Sequence, residues 1–211
     1  MISCALKPGL LQIFTSGALG WVIIFLRNLP AAIPTASNVA FTLSLHADIP
    51  ATEPGGPGYS MPGDLLWEQT FGPGQFSVNL YSEGPEGWYN PNTGEYIAEG
   101  DNQAWQYNFY IDQSVAYLQE GTPDNPIIYW LDVSATPSDD QAFFGWKTSL
   151  QHWNDDAVWA DSHQGPWSEL HYPNSHPFGG ESIDLAFVIT PEPTTIALLG
   201  LGYVFIRKRR K

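Results

Sequence analysis

Apolar and polar residues alternate one by one through the middle of the chain, and this alternation limits the possible fold more than any other feature. Residues 39, 41, 43 and 45 are large and apolar, whereas the residues between them are small or polar. A period of two places successive side chains on opposite faces of a β-strand. The pattern therefore predicts strands with one buried face.

The same alternation recurs along the chain, and each occurrence predicts a strand. Gly/Pro-rich connections such as Gly72-Pro73-Gly74 separate the segments, and residues 88–97 predict a hairpin with its tip at 90–94. We therefore predict an all-β domain over residues 38–190, an antiparallel β-sandwich of the jelly-roll type. The predicted strands are 38–46, 65–71, 75–82, 103–111, 127–134, 143–149, 157–160 and 182–190.

Charge is distributed unevenly in this chain of 211 residues, whose formal net charge is −14. Between Asn28 and Thr190, one base stands against 21 acids, a net charge of −20. Nucleic acids need Lys and Arg to neutralise their phosphates, so a nucleic-acid partner is excluded. The single base is Lys147. We expect it to form an ion pair with Asp132, Asp155 or Asp156, the alternative being a contact with a ligand.

The C-terminal segment 191–211 has three parts in a fixed order. Pro191, Glu192 and Pro193 precede an uncharged run of 13 residues, 194–206, which we expect to form a short hydrophobic helix. Such a helix spans about 20 Å, less than the ~30 Å hydrocarbon core of a bilayer. The basic tail would hold it at the cytoplasmic face, whereas a core helix would not end in five cations. The tail consists of Arg207, Lys208, Arg209, Arg210 and Lys211.

This order of Pro-Glu-Pro, short apolar span and basic tail resembles the PEP-CTERM sorting signal. The resemblance implies an exported protein, anchored in the inner membrane by its C-terminus until an exosortase cleaves near Pro-Glu-Pro. It also implies a final place at the cell surface or in the exopolysaccharide matrix. Export requires a leader, and residues 1–37 are interpreted as an apolar, signal-like leader. The alternative is a start that is truncated or wrongly assigned.

A second resemblance lies in the middle of the chain. Phe41-Thr42-Leu43-Ser44-Leu45 and Phe144-Gly145-Trp146-Lys147-Thr148, with segments 60–67, 129–133 and 154–159, resemble an uncharacterised domain of exported PEP-CTERM proteins. The resemblance covers residues 38–190. Members usually carry further β-structure before the first segment, where this chain has the apolar leader. The resemblance implies no known activity and no established functional residues.

Acidic and histidine-rich segments supply candidate metal ligands. Ca²⁺ binds six to eight hard oxygens, which loop carboxylates commonly provide. Turn formation and capping are the alternative use of such residues. His163, His171 and His176 lie within 14 residues, but their spacing matches no metal motif, and we expect solvated or capping roles. The candidate calcium ligands are Asp139, Asp140, Asp155, Asp156 and Asp161.

Four tryptophans within 22 residues, Trp146, Trp153, Trp159 and Trp167, are the candidate glycan-binding residues. Aromatic faces stack on sugar rings, and the alternative is packing inside the domain. Cys4 is the only cysteine, so no internal disulfide forms. No nucleophile or zinc-protease motif is present. We expect a non-catalytic module of the cell surface or exopolysaccharide matrix, with a structural role or a glycan-binding role; the alternative is a glycan hydrolase with paired carboxylates.

Overall fold

The structure, a computed structural model, describes residues 2–6, 18–27, 36–112, 114–122, 124–138, 143–152, 155–162 and 165–190. Its elements are all β-strands, and every strand pair is antiparallel, which confirms the predicted all-β antiparallel class. The strands are β1 (Ile2–Leu6), β2 (Ala18–Arg27), β3 (Val39–Ile49), β4 (Met61–Phe71), β5 (Phe76–Asn90), β6 (Glu95–Ile111), β7 (Tyr129–Pro137), β8 (Phe143–Trp146), β9 (Thr148–Ser149), β10 (Val158–Trp159), β11 (Ser168–Glu169), β12 (Asp184–Leu185) and β13 (Phe187–Thr190).

Six strands form the first sheet, in the order β11-β10-β1-β7-β3-β4. β3 is an interior strand beside the edge strand β4, and it pairs with β7 from Val39 to Ala47 and with β4 from Phe41 to Ile49. Its odd-numbered residues 39 to 45 are buried in the core, as the alternation predicts. The register with β4 shifts on either side of His46, where the strand carries its irregularity.

Five strands form the second sheet, in the order β13-β2-β6-β5, with β8 also paired to β2. Along one edge of β2, β13 pairs with residues 19–22 and β8 with residues 24–27. Along the other edge, β6 pairs with residues 18–24. β12 and β9 form a separate two-stranded sheet.

β5 and β6 form one long hairpin of 15 and 17 residues. The predicted tip is confirmed, with Trp88 opposite Ile97 and Asn90 opposite Glu95. The sequence pattern predicts separate strands on either side of residues 83–87, whereas the structure continues the pairing through them. Register shifts between Leu80 and Trp88 absorb the irregular residues, because a bulge accommodates extra residues without ending the ladder.

Strands also occur within the segment 1–37, where the sequence predicts a leader. β1 lies between β7 and β10, and β2 lies in the second sheet. Residues 18–26 are a nearly continuous apolar run, which periodicity alone cannot distinguish from a signal sequence. An export role for this segment stays a prediction. Among the residues that the structure describes, no helix is long and apolar enough to cross a membrane. The predicted C-terminal helix and sorting segment 191–211 lie outside them.

Aromatic rings from the two sheets meet in the main core. The ring of Phe41 in the first sheet lies 4.8 Å from that of Tyr107 and 5.2 Å from that of Phe109 in the second sheet, centroid to centroid. Phe71 likewise lies 5.1 Å from Phe109. The buried hydroxyl of Tyr107 donates a 2.8 Å hydrogen bond to the Ala36 carbonyl, and burial raises the pKa of this tyrosine. These contacts join the sheets.

A smaller hydrophobic cluster lies on the opposite side of β7. Trp130 alternates with the core residues Tyr129 and Leu131, so its side chain points away from the main core. It packs with buried Val158, Ala160 and Trp167. The first sheet therefore has apolar contacts on both faces.

Candidate functional site

A cleft of 320 Å³ lies between the outer half of the β5–β6 hairpin, the segment 144–148 and the C-terminal segment 170–185. Aromatic rings make up much of its wall, and one ion pair supplies its charged groups. Its volume falls at the lower end of the range for small-molecule sites. The aromatic and imidazole residues of the lining are Trp88, Tyr89, Tyr96, Phe144, Trp146, Tyr172 and His176.

Two glycines allow Trp88 to occupy its position in this wall. A methyl group added at Gly145 would lie 2.6 Å from Cζ3 of the Trp88 ring. A methyl group added at Gly100 would collide with Trp88 Cβ. Each added methyl group would lie closer to Trp88 than van der Waals contact allows, so this residue packs directly against the backbone at both glycines. Strand β8 and the hairpin are thereby held close enough to enclose the cleft.

The opposite part of the cleft contains a small stack of rings. His176 lies parallel to Tyr172 at 4.4 Å and edge-on to Tyr96 at 5.2 Å, measured between ring centroids. The backbone N–H of Phe178 donates to Nδ1 of His176 at 3.1 Å, which places the proton of the neutral imidazole on Nε2. Burial lowers the pKa of His176, so the ring is neutral at pH 7. This part of the cleft is therefore uncharged.

Lys147 forms an ion pair with Glu86 in the cleft wall. Its Nζ donates to Oε1 of Glu86 at 2.8 Å, and the two side chains are 27% and 28% exposed. The structure pairs Lys147 with Glu86, which is not among the predicted partners Asp132, Asp155 and Asp156. Because the pair is still partly exposed, a bound molecule could reach both charged groups.

The predicted glycan-binding tryptophans do not lie in one surface. Trp146 lines the cleft, and its Nε1–H donates to the Ala186 carbonyl at 2.9 Å. Trp159 packs against the main core, whereas Trp167 belongs to the smaller cluster. Trp153 lies outside the residues that the structure describes.

The hairpin residues of the cleft are not among the predicted site residues. The sequence predicts the hairpin itself, and Trp88-Tyr89 and Tyr96 flank its tip. These large aromatic residues beside an exposed turn were the feature of the sequence from which this part of the site could have been predicted. Their contact with residues 144–148, more than 45 positions away, depends on the pairing of β2 with both β6 and β8.

The predicted calcium ligands are described only in part. Asp155, Asp156 and Asp161 lie in the described residues, and Asp139 and Asp140 do not. Within the described residues, no group of three or more His, Cys, Asp or Glu side chains could hold a metal ion. Calcium binding stays a prediction.

Desolvation raises the pKa of the Asp48 carboxyl, and the nearby charge of Asp155 raises it further. Against these effects, a hydrogen bond from Nε1–H of Trp130, 2.8 Å long, lowers the pKa. The net shift is upward. This carboxyl therefore holds its proton to a higher pH in the folded protein than in the unfolded chain.

Ser44, His46 and Asp132 form a buried polar network on the first sheet. Ser44 Oγ lies 3.1 Å from Nε2 of His46 and 3.5 Å from Oδ2 of Asp132, and all three residues are at most 2% exposed. A serine protease orients its histidine through a carboxylate on Nδ1. Here Nδ1 lies 3.0 Å from the Gly63 carbonyl instead. The burial and this arrangement indicate a structural network.

A wider cavity of 920 Å³ lies beside this network, at the loop 55–63. His46, Met61 and Trp167 contribute to its lining, and the hydroxyl of Tyr59 donates to the Trp167 carbonyl at 2.6 Å. Its described lining has fewer aromatic rings, Tyr59 and Trp167, than that of the aromatic cleft. The aromatic cleft is the stronger candidate site.

An antiparallel all-β domain with an aromatic cleft is thus the class of protein that the fold and the site define. Residues 21–190 match the family described as Domain of unknown function (DUF7901), and the chain belongs to this family. The match begins within β2, before the predicted domain boundary at residue 38. No curated protein and no solved structure matches the chain.

Proposed function

We propose that this protein is an exported, non-catalytic β-sandwich module that binds a neutral glycan in the aromatic cleft. It acts at the cell surface or in the exopolysaccharide matrix. The single observation that carries the proposal is a cleft walled by aromatic rings whose charged groups, Glu86 and Lys147, balance each other. Elsewhere the domain is strongly acidic, as its charge of −20 between Asn28 and Thr190 requires.

The sandwich architecture is supported by the contacts between the two sheets. Phe41 and Phe71 of the first sheet meet Tyr107 and Phe109 of the second at 4.8 to 5.2 Å between centroids. Interdigitated rings from facing sheets are how a two-layer β domain forms its core. We propose the jelly-roll type of sandwich, with the cleft at the end where the β5–β6 hairpin extends.

Aromatic rings and hydrogen-bonding groups together favour a sugar as the ligand. A sugar ring has an apolar CH face that stacks on aromatic side chains and hydroxyls that exchange hydrogen bonds with polar groups. Tyr89, Tyr96 and His176 are half-buried, so part of each ring faces the solvent-filled space of the cleft. Trp88 and Trp146 are buried behind them and hold the wall in place.

A glycan hydrolase is the alternative from another class. Hydrolysis by the common mechanisms uses two carboxyl groups, about 5 to 9.5 Å apart, on either side of the scissile bond. Among the described residues that line the cleft, Glu86 is the sole carboxylate, and it is paired with Lys147. Binding without cleavage therefore fits this cleft better.

Export and sorting are proposed from the resemblance of residues 191–211 to the PEP-CTERM signal, with an exosortase and the inner membrane as partners. β13, the last strand within the described residues, ends at Thr190, directly before Pro191. Cleavage near Pro-Glu-Pro would thus spare the sheet. Deleting Arg207 to Lys211 should release the protein from the membrane fraction without processing. A mature protein from cells that still ends in the basic tail would rule out exosortase cleavage.

The binding proposal is tested by affinity electrophoresis through gels containing neutral polysaccharides. Tyr96→Ala should weaken retardation about 3- to 10-fold, since an aromatic stacking contact contributes about 0.5–1.5 kcal/mol. Tyr81→Ala is the matched control, because Tyr81 is 51% exposed on the same hairpin and lies outside the cleft. Equal retardation of both variants and the wild type would place any glycan site elsewhere.

A further inference from the structure

The aromatic cleft contains Lys147, the only Lys or Arg between Asn28 and Thr190, a segment with 21 acids. Lys147 could have been placed against any of these carboxylates. Its Nζ instead lies 2.8 Å from Glu86, which also lines the cleft. The ion pair formed by this lysine is therefore part of the candidate site.

An ion pair of this kind presents a strong acceptor beside a strong donor. The carboxylate of Glu86 can accept a hydrogen bond from one hydroxyl, and the ammonium of Lys147 can donate to the next hydroxyl on the same ring. Both side chains keep about a quarter of their surface exposed, 28% for Glu86 and 27% for Lys147. A sugar bound in the cleft could therefore contact both groups.

We propose that the Glu86–Lys147 pair selects the ligand, so that the cleft accepts sugar rings with adjacent free hydroxyls and rejects uronates and other anionic sugars. This inference rests on the proposed function of the cleft. Anionic sugars are rejected because their negative charge disturbs the Glu86–Lys147 pair. A carboxylate on the ligand would compete with Glu86 for Lys147, and displaced Glu86 would repel the ligand within the site.

Other titratable groups of the lining do not change this balance at neutral pH. His176 is held neutral, because its Nδ1 accepts the Phe178 N–H, and its pKa is lowered by burial. The net charge of the described lining is therefore set by Glu86 and Lys147.

Removing one charge at a time tests the inference. Wild type, Glu86→Gln and Lys147→Met are applied at pH 7 and low salt to an array of neutral, amino-sugar and uronate-containing polysaccharides. Glu86→Gln removes the carboxylate that competes with the ligand for Lys147 and should strengthen uronate binding about tenfold, the size of one charge-assisted hydrogen bond. Lys147→Met should weaken neutral-glycan binding about tenfold and should gain no uronate binding.

Glu83→Gln is the matched control for the general loss of an acidic charge. Glu83 is exposed on the same strand and bonds Gln103 at 3.1 Å, outside the cleft. The inference predicts that this variant keeps the wild-type preference. If Glu86→Gln and Glu83→Gln behave alike, the pair does not select the ligand, although the cleft still binds glycan. If the wild type binds no polysaccharide on the array, the proposed function itself fails.

Discussion

The contact between Gly145 and Trp88 gives the sharpest test of how the cleft is built. In Gly145→Ala, the new methyl group would lie 2.6 Å from Cζ3 of Trp88, with two further ring atoms at 3.3 and 3.4 Å. Trp88 is only 8% exposed, so its ring has little room to move. Overpacking of this kind costs about 1–3 kcal/mol. In a domain of this size, that corresponds to a melting temperature roughly 2–12 °C lower.

Differential scanning calorimetry measures this shift, and a double-mutant cycle shows its cause. Trp88→Ala removes the ring that the methyl group would meet, so Gly145→Ala should add little destabilisation in that background. Gly72→Ala is the control, because its nearest neighbour, Gln75 Oε1, would lie at an ordinary 3.4 Å. Additive effects of the two cleft substitutions would refute direct packing of the indole against β8.

Three further predictions concern stability. Phe41→Ala should reduce the free energy of unfolding by about 3–5 kcal/mol and lower the melting temperature by roughly 6–20 °C. Tyr81→Ala, at an exposed ring, should lower it far less, and similar shifts for the two variants would contradict a core formed between the sheets. Asp48→Asn keeps an acceptor for the Trp130 Nε1–H but removes the Asp48 carboxylate. Because the pKa of this carboxyl is raised in the folded protein, the free energy of unfolding falls as the pH rises from the ordinary pKa of 3.8 through the raised pKa. Asp48→Asn should raise the melting temperature at pH 7 and flatten the acid pH dependence, and a lower value at pH 7 would contradict this. At fixed ionic strength, Ca²⁺ should raise the melting temperature more than Mg²⁺, and equal values would exclude a specific calcium site.

Local alternation predicted much of the strand content. β3 and β6 have a clear period of two because one face of each contributes to the core. β3 covers most of the predicted segment 38–46 and continues to Ile49, whereas β6 ends at Ile111 as predicted but begins at Glu95, before the predicted 103–111. β2 has no such period, so its apolar residues predict a leader as readily as a strand. The continuous pairing of β5 with β6 through residues 83–87 depends on bulges, which sequence periodicity does not reveal.

Of the candidate site, the sequence predicted Trp146 as a glycan-binding residue and gave a ligand contact as the alternative role of Lys147. Its other components come from segments far apart in sequence, and their meeting depends on sheet topology. Lys147 illustrates this, because its partner Glu86 is 61 residues away, on the neighbouring hairpin. The charge pattern predicted that Lys147 would be paired, but only the three-dimensional packing of β8 on the hairpin determines the partner.

The position of β2 has a consequence for the order in which the domain can fold. β2 pairs with β6 on one edge, whereas its other edge is covered by β8 and β13, which come later in the chain. During synthesis, a β2–β6 pair would therefore leave an open edge until residues 143–190 have emerged. An open edge is a template for pairing with other chains. Completion of the second sheet is thus a late event. If the chain crosses a membrane before it folds, the open edge of β2 would need protection on the far side until residues up to Thr190 have also crossed.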